Sequence, residues 1–166
     1  MTLESPGGIP IMIASEDLLS ESVLERLLVV AQKSFRILNR LRRGGSGYLK
    51  QNIRTWNQTL VKGIPLLLLT DLDTEDCAPK LRYDWLHGRT PHPNLIFRVA
   101  VREVEAWLMA DRDRFADHLG VAASRIPSAP ETEANPKQAV FNAAARSKRR
   151  GIREGIPPSG TRRVGP

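Results

Sequence analysis

The stretch "IPLLLLT" at residues 64–70 limits the fold more than any other part of the chain. A strand with one wet face alternates apolar and polar residues, and this one does not. Near-continuous apolarity fits a strand covered on both faces, as in a parallel sheet between helices. The run passes directly into "DLDTEDC", which holds Asp71, Asp73, Glu75 and Asp76. Leucines need burial, whereas carboxylates need water, a cation or a proton. The chain therefore moves from core to polar edge within a residue or two.

Other segments fit around that strand. "IPIMIA" (9–14) reads as a first buried strand. "SESVLERLLVVAQK" reads as a helix with Ser20 as N-cap and Val23, Leu24, Leu27, Leu28 and Ala31 on one face. "FRIL" (35–38) reads as a second strand. "RRGGSG" reads as a flexible basic loop whose glycines could let backbone amides approach a phosphate. Residues 48–61 form a predicted helix ending near Gly63 and Pro65. Residues 78–86 read as a helix and "LIFRVAV" (95–101) as a strand. "EAWLMADRDRFADHLG" reads as one helix ending at Gly120. Residues 137–150 read as a basic helix capped by Gly151, followed by the irregular tail "GIPPSGTRRVGP". Strands alternating with helices predict an α/β fold with a mostly parallel sheet of about four strands flanked by helices. The expected division is an α/β domain over 1–126 and a basic helical extension with a flexible tail over 127–166. The end at "RRVGP" is abrupt, which leaves open a further C-terminal segment.

Charge is uneven. The chain carries 25 Lys/Arg against 18 Asp/Glu. Residues 1–136 are balanced, so the excess lies in 137–166, where Lys137, Arg146, Lys148, Arg149, Arg150, Arg153, Arg162 and Arg163 face Glu154 alone. Such a segment can contact phosphates, or it can be a solvated helix face and tail. No apolar run approaches the length of a bilayer span. The N-terminus lacks a signal-peptide pattern. A single cysteine, Cys77, excludes an internal disulfide and a multi-cysteine zinc site. The expected location is cytoplasmic.

Three acidic groups follow predicted strands: Glu16 with Asp17, Asp71 with Asp73, and Glu103 with Glu105. In a parallel sheet, ligands bind beyond the carboxyl ends of the strands, and the topology would gather all three groups there. Crowded carboxylates raise one another's pKa unless a cation intervenes. Mg²⁺, or Mn²⁺ in its place, is the hard oxygen-seeking ion that suits them. If the chain stays extended through Asp73, period two points Asp71 and Asp73 to the same side. If a helix starts near Arg102, Glu103 and Glu105 diverge by roughly 200°. The bland alternatives are a helix cap at Asp73 or Asp76 and solvated side chains at Glu75 and Asp76.

Glu16 after the first strand, with "DLD" after a hydrophobic strand, resembles the Toprim domain. That is the metal-binding α/β fold of topoisomerases, primases and nucleases of the overcoming-lysogenization-defect class. "ASEDLLSESVLERLL" resembles its glutamate-plus-helix block, with Asp17 where a glycine is usual. "REVEAWLMAD" (102–111) is similar to the glutamate-rich block of a group of bacterial Toprim-like proteins. The resemblance covers roughly residues 9–111. It implies Mg²⁺ on Asp71 and Asp73, and Glu16 as metal ligand or general acid/base. It implies a Mg²⁺-dependent nuclease or nuclease-like effector, with Glu103 and Glu105 as further metal-site residues. Arg42, Arg43, Lys148, Arg149 and Arg150 are the expected contacts to nucleic acid.

Two other readings compete. "LLLLTDLDTE" also resembles the opening motif of haloacid-dehalogenase-like phosphatases, in which Asp71 would be nucleophile and Asp73 acid/base. That motif normally opens its fold, and no clear downstream acidic pair completes it. The non-enzyme reading is a module that binds nucleic acid or protein through its basic segment. A partner protein or a second copy of the chain is compatible with either, and no membrane contact is expected. The remaining chemistry-bearing residues read as ordinary. His87 and His92 lack a third donor for zinc. Trp56, Trp85 and Trp107 suit core packing, and Cys77 suits burial.

Overall fold

The computed structural model describes residues 7–60 and 63–155. The chain divides into two compact units, Met1–Ala100 and Val101–Pro166. The boundary expected at 126/127 falls inside the second unit.

The first unit is a four-stranded, all-parallel sheet of order β2-β1-β3-β4. Its strands are β1 (Ile9–Ala14), β2 (Phe35–Leu41), β3 (Leu66–Asp71) and β4 (Leu95–Ala100). Three helices connect them: α1 (Leu18–Val30), α2 (Gly45–Thr59) and α3 (Ala78–Trp85). The α/β fold with a parallel sheet flanked by helices is therefore as expected, and it is Rossmann-like. Right-handed crossovers dictate the layers. The path β1 to β2 runs one way along the sheet, whereas β2 to β3 and β3 to β4 run the other. Helix α1 then takes one face, and α2 and α3 share the opposite face, where they touch.

β3 is buried as its composition demands. Leu66, Leu68 and Leu69 are each fully buried. Leu66 and Leu68 alternate onto one face and Leu69 onto the other, so both sides are covered. Leu24 and Leu28 of α1, and Leu49 and Ile53 of α2, supply the cover. On α3, Trp85 meets Phe97 of β4 with ring centroids 5.6 Å apart. The Arg82 guanidinium lies over the same Phe97 ring.

Local details depart from expectation, each for a visible reason. Asp17, not Ser20, caps α1: its carboxylate accepts the Ser20 N–H at 2.8 Å. Ser20 is instead a buried residue in the first turn. Leu27 and Ala31 are exposed, so the covered face of α1 is narrower than the predicted stripe. β2 continues three residues past Leu38, because a register shift beside Ile11/Met12 lets the ladder resume at Asn39. "RRGGSG" is not a free loop. Gly44 and Gly45 both have left-handed φ, +69° and +71°, which turns the chain sharply enough for α2 to begin at Gly45. The expected helix end at Val61 lies outside the described residues.

The second unit holds α4 (Val104–Met109), α5 (Arg112–Leu119), α6 (Pro136–Ala144) and α7 (Arg150–Gly155). The single helix expected through Gly120 is broken, because Asp111 caps α5 by accepting the Arg114 N–H. Gly120 does end α5, with φ +68°. Met109, Leu119, Ile126, Ala143 and Ala144 form a core of their own. Arg112 Nε donates to the Ala123 and Ile126 carbonyls and so holds the irregular segment. The expected basic helix over 137–150 ends at Ala144, and α7 starts only at Arg150, with Gly151 inside it. Ser147 explains the break. It is buried, its hydroxyl donates to the Leu119 carbonyl, and it accepts the Arg149 N–H at 2.9 Å. The tail 156–166, with Arg162 and Arg163, lies outside the described residues. No helix among the described residues is long and apolar enough to cross a membrane.

The cap assignment is checkable. Asp17→Ala should lower stability by about 1 kcal/mol in urea denaturation, the usual cost of losing an N-cap. An unchanged midpoint would rule out Asp17 as the cap.

Candidate functional site

β1 and β3 are neighbours whose connections leave in opposite directions. Their carboxyl ends therefore define the switch point, where open α/β sheets bind ligands. Glu16 lies two residues beyond β1, at that point. Its Oε1 accepts the Asp71 N–H at 2.8 Å and the hydroxyl of Thr70. One carboxylate oxygen thus ties the end of β1 to the end of β3. Thr70 is fully buried, whereas Glu16 is half-buried.

Burial raises the Glu16 carboxyl above the ordinary carboxylate range. The bonds from Thr70 and Asp71 favour the charged form but do not cancel the effect. The charges of Asp73 and Asp17 push it up further. Glu16 and the Asp71–Asp73 segment are thus brought together, as the sequence predicted. Asp17 is committed to capping α1, and Ser15 is buried with its hydroxyl donating to the Asp17 carbonyl. Between Glu16 and Asp17, Glu16 is therefore the acid that reaches β3.

Asp71 is the last residue of β3. The ladder reaches one residue further, since the Leu72 N–H donates to the Ala100 carbonyl at 2.9 Å. Asp73 then has φ +50°. The chain is not extended through it, so the period-two argument that aligned Asp71 with Asp73 does not apply. Left-handed backbone is tolerated by Asp better than by most residues, and it starts the turn in which the Glu75 N–H donates to the Leu72 carbonyl. Asp76 pairs with Lys80 on the surface. Cys77 is exposed rather than buried, because it sits at the N-cap position of α3.

Glu103 and Glu105 belong to the second unit. Glu103 is the extended residue before α4, and Glu105 lies in the first turn of that helix. The helix starts at Val104, so only Glu105 is helical and neither of the two expected cases holds for both residues. Glu103 Oε2 accepts the Lys137 N–H at 3.0 Å, linking α4 to the start of α6. Glu105 is buried.

The basic residues are partly engaged. Arg42 Nε meets Glu21 at 3.1 Å, while Arg43 is exposed. Arg150 Nε pairs with Glu154 at 2.7 Å. The Lys148 N–H donates to the Gly120 carbonyl, and the Arg149 side chain packs beside Gly120. The side chains of Lys148, Arg149 and Arg150 stay exposed on one turn.

Thr70 is the site residue that sequence reading passed over. Its signal was present: it is the only hydroxyl in an otherwise apolar run, placed directly before the acids. Among the described residues, no group of three or more His, Cys, Asp or Glu side chains is arranged to hold a metal ion. The donor chemistry still suits Mg²⁺. The available groups are hard carboxylate oxygens, and that ion is usually held by one or two carboxylates with water and substrate completing its shell. No protein-family model, curated protein or solved structure matches the chain.

The raised pKa has a definite consequence for stability. Between the ordinary glutamate pKa and the raised folded value, the unfolded state has lost its proton while the folded state keeps it. Stability therefore falls as pH rises through that window. Glu16→Gln keeps an oxygen for Thr70 and Asp71 but carries no charge. In EDTA, its stability relative to the parent should increase as pH rises from acidic toward neutral, followed by thermal melting at each pH. A constant difference across the range would show that Glu16 is not perturbed.

Proposed function

We propose that this chain is a Toprim-like, Mg²⁺- or Mn²⁺-dependent phosphodiesterase acting on nucleic acid. The observation that carries the reading is Glu16, a partly buried acid bonded across the β1/β3 switch point to the residue that opens "DLD". Asp71 and Asp73 would hold the ion. When bound, such an ion lowers the pKa of a water and offsets charge on a phosphate oxygen. Glu16 would handle a proton, as a partly buried carboxyl held at the strand ends by Thr70 and the Asp71 N–H. Thr70 and the Asp71 N–H orient that carboxyl. Arg43, Lys148 and Arg149 supply exposed cations for a polyanion, with Arg42 available on release from Glu21 and Arg150 on release from Glu154.

One observation favours a second reading. The same Glu16 oxygen already accepts two protein donors, which would equally suit a latch between strands in a module that binds without cleaving. A haloacid-dehalogenase-like phosphatase would use Asp71 as nucleophile, but no feature of the geometry favours it.

Incubating the full chain with plasmid DNA and RNA in Mg²⁺, Mn²⁺ or EDTA separates these readings. Cleavage is expected with either metal and not in EDTA. Asp71→Asn should abolish it, and Glu16→Gln should reduce it by about 10²-fold or more, the usual loss for a proton-transfer group. Cleavage that survives EDTA or both substitutions would sink the proposal. Binding without cleavage, weakening steeply with salt, would favour the module. Turnover of a small phosphate monoester alone would favour the phosphatase.

A further inference from the structure

A cavity of about 190 Å³ opens in the first unit between the start of α2 and the turn after β3. Its floor is apolar, made by Leu72, Leu81 and Trp85, all of them buried. Lys50, Asp73 and Glu75 also line it. Lys50 makes none of the ion pairs found among the described residues. A ligand that fits must therefore combine three properties. It needs a flat or compact apolar body for the floor, a hydrogen-bond donor for Glu75, and an anionic group for Lys50.

The volume narrows the choice. It is below the roughly 300–1,000 Å³ of pockets that enclose drug-sized ligands, so it suits one small ring rather than a whole nucleotide. A carboxylate that reads a base accepts from an exocyclic amino group, as Glu and Asp do from cytosine N4. A base of that kind, attached to a phosphate that stays outside the floor, meets all three demands.

We infer that this cavity seats the amino-bearing base of a nucleotide, cytosine being the smallest, with Glu75 accepting from the base and Lys50 holding its phosphate. The inference deepens the reading of the neighbouring carboxylates as a phosphodiester site and rests on it, since it names the nucleotide that the same edge grips. It gives Lys50 a role that its sequence context did not suggest. Uracil, of the same size, presents an acceptor where cytosine presents the amino donor, and Glu75 repels it.

Calorimetric titration of the full chain in EDTA tests this without any cleavage, using CMP, UMP and cytidine as probes. CMP should bind about tenfold or more tighter than UMP, the discrimination expected of a good base-edge contact. Lys50→Ala should weaken CMP by about tenfold while leaving cytidine unchanged, because it removes only the charge-assisted contact to phosphate. Glu75→Ala should weaken both CMP and cytidine. Each variant is checked by thermal melting, so that misfolding is not mistaken for lost binding. No saturable binding of CMP by the folded parent, equal affinity for CMP and UMP, or binding unmoved by both substitutions would overturn the inference. Because the readout is binding in EDTA, a protein that cleaves but fails this titration loses the base seat alone. One that binds CMP but never cleaves loses the catalytic reading alone.

Discussion

The first unit depends on covering β3 from both sides. Leu66, Leu68 and Leu69 are fully buried, and a strand with two apolar faces is unstable as an edge or as part of a one-sided sheet. Burying a leucine side chain contributes roughly 1.5–3 kcal/mol, so leaving either face open would forgo a large part of a domain's net stability. The requirement places β3 inside the sheet, between β1 and β4. It demands helices on opposite faces, and right-handed crossovers supply them. It also sets where the polar chemistry can be. The apolar run stops at Thr70, and the acids begin at the carboxyl end of the strand, beside the end of β1.

From that placement the candidate site follows with few further assumptions. Adjacent parallel strands whose connections diverge leave a crevice at their carboxyl ends. Glu16 stands in it and reaches across to Thr70 and Asp71. The second unit has its own logic. Its core is small and alanine-rich, and polar contacts do much of the joining. Ser147 reaches the end of α5, Arg112 holds two carbonyls, and Glu103 meets the start of α6.

The four strands and the helical segments between them were legible because each strand is a compact apolar run bounded by turn residues. The connection of Glu16 to the acids of β3 was legible too, since strand ends in a parallel sheet share an edge. The misreadings have a common cause. Ser20 and Asp17 are both good caps by composition, and only the backbone path chooses between them. The interruption near Ser147 is imposed by a carbonyl 28 residues earlier in the chain, which no local pattern encodes. The left-handed turn at Asp73 removed an alignment that held only for extended chain. The two consecutive left-handed glycines before α2 turned an expected loop into the start of a helix. In each case a tertiary or backbone constraint prevailed over a local preference that was itself reasonable.

Glu16 is where structural and functional demands separate. The two bonds that join β1 to β3 require only an acceptor oxygen. A glutamine offers one with similar reach, without the cost of burying charge beside Asp73 and Asp17. The carboxylate carries a burial cost that an amide would not, which raises its pKa. Charge-assisted bonds from Thr70 and Asp71 return part of that loss, but the balance still disfavours ionisation. A partly buried acid at a topological switch point is compatible with the proposed chemical role, and an acceptor there also serves to join the strands. The same reasoning separates Glu16 from Asp17. Asp17 satisfies a helix terminus, whereas Glu16 joins β1 to β3 through bonds that need only an acceptor oxygen.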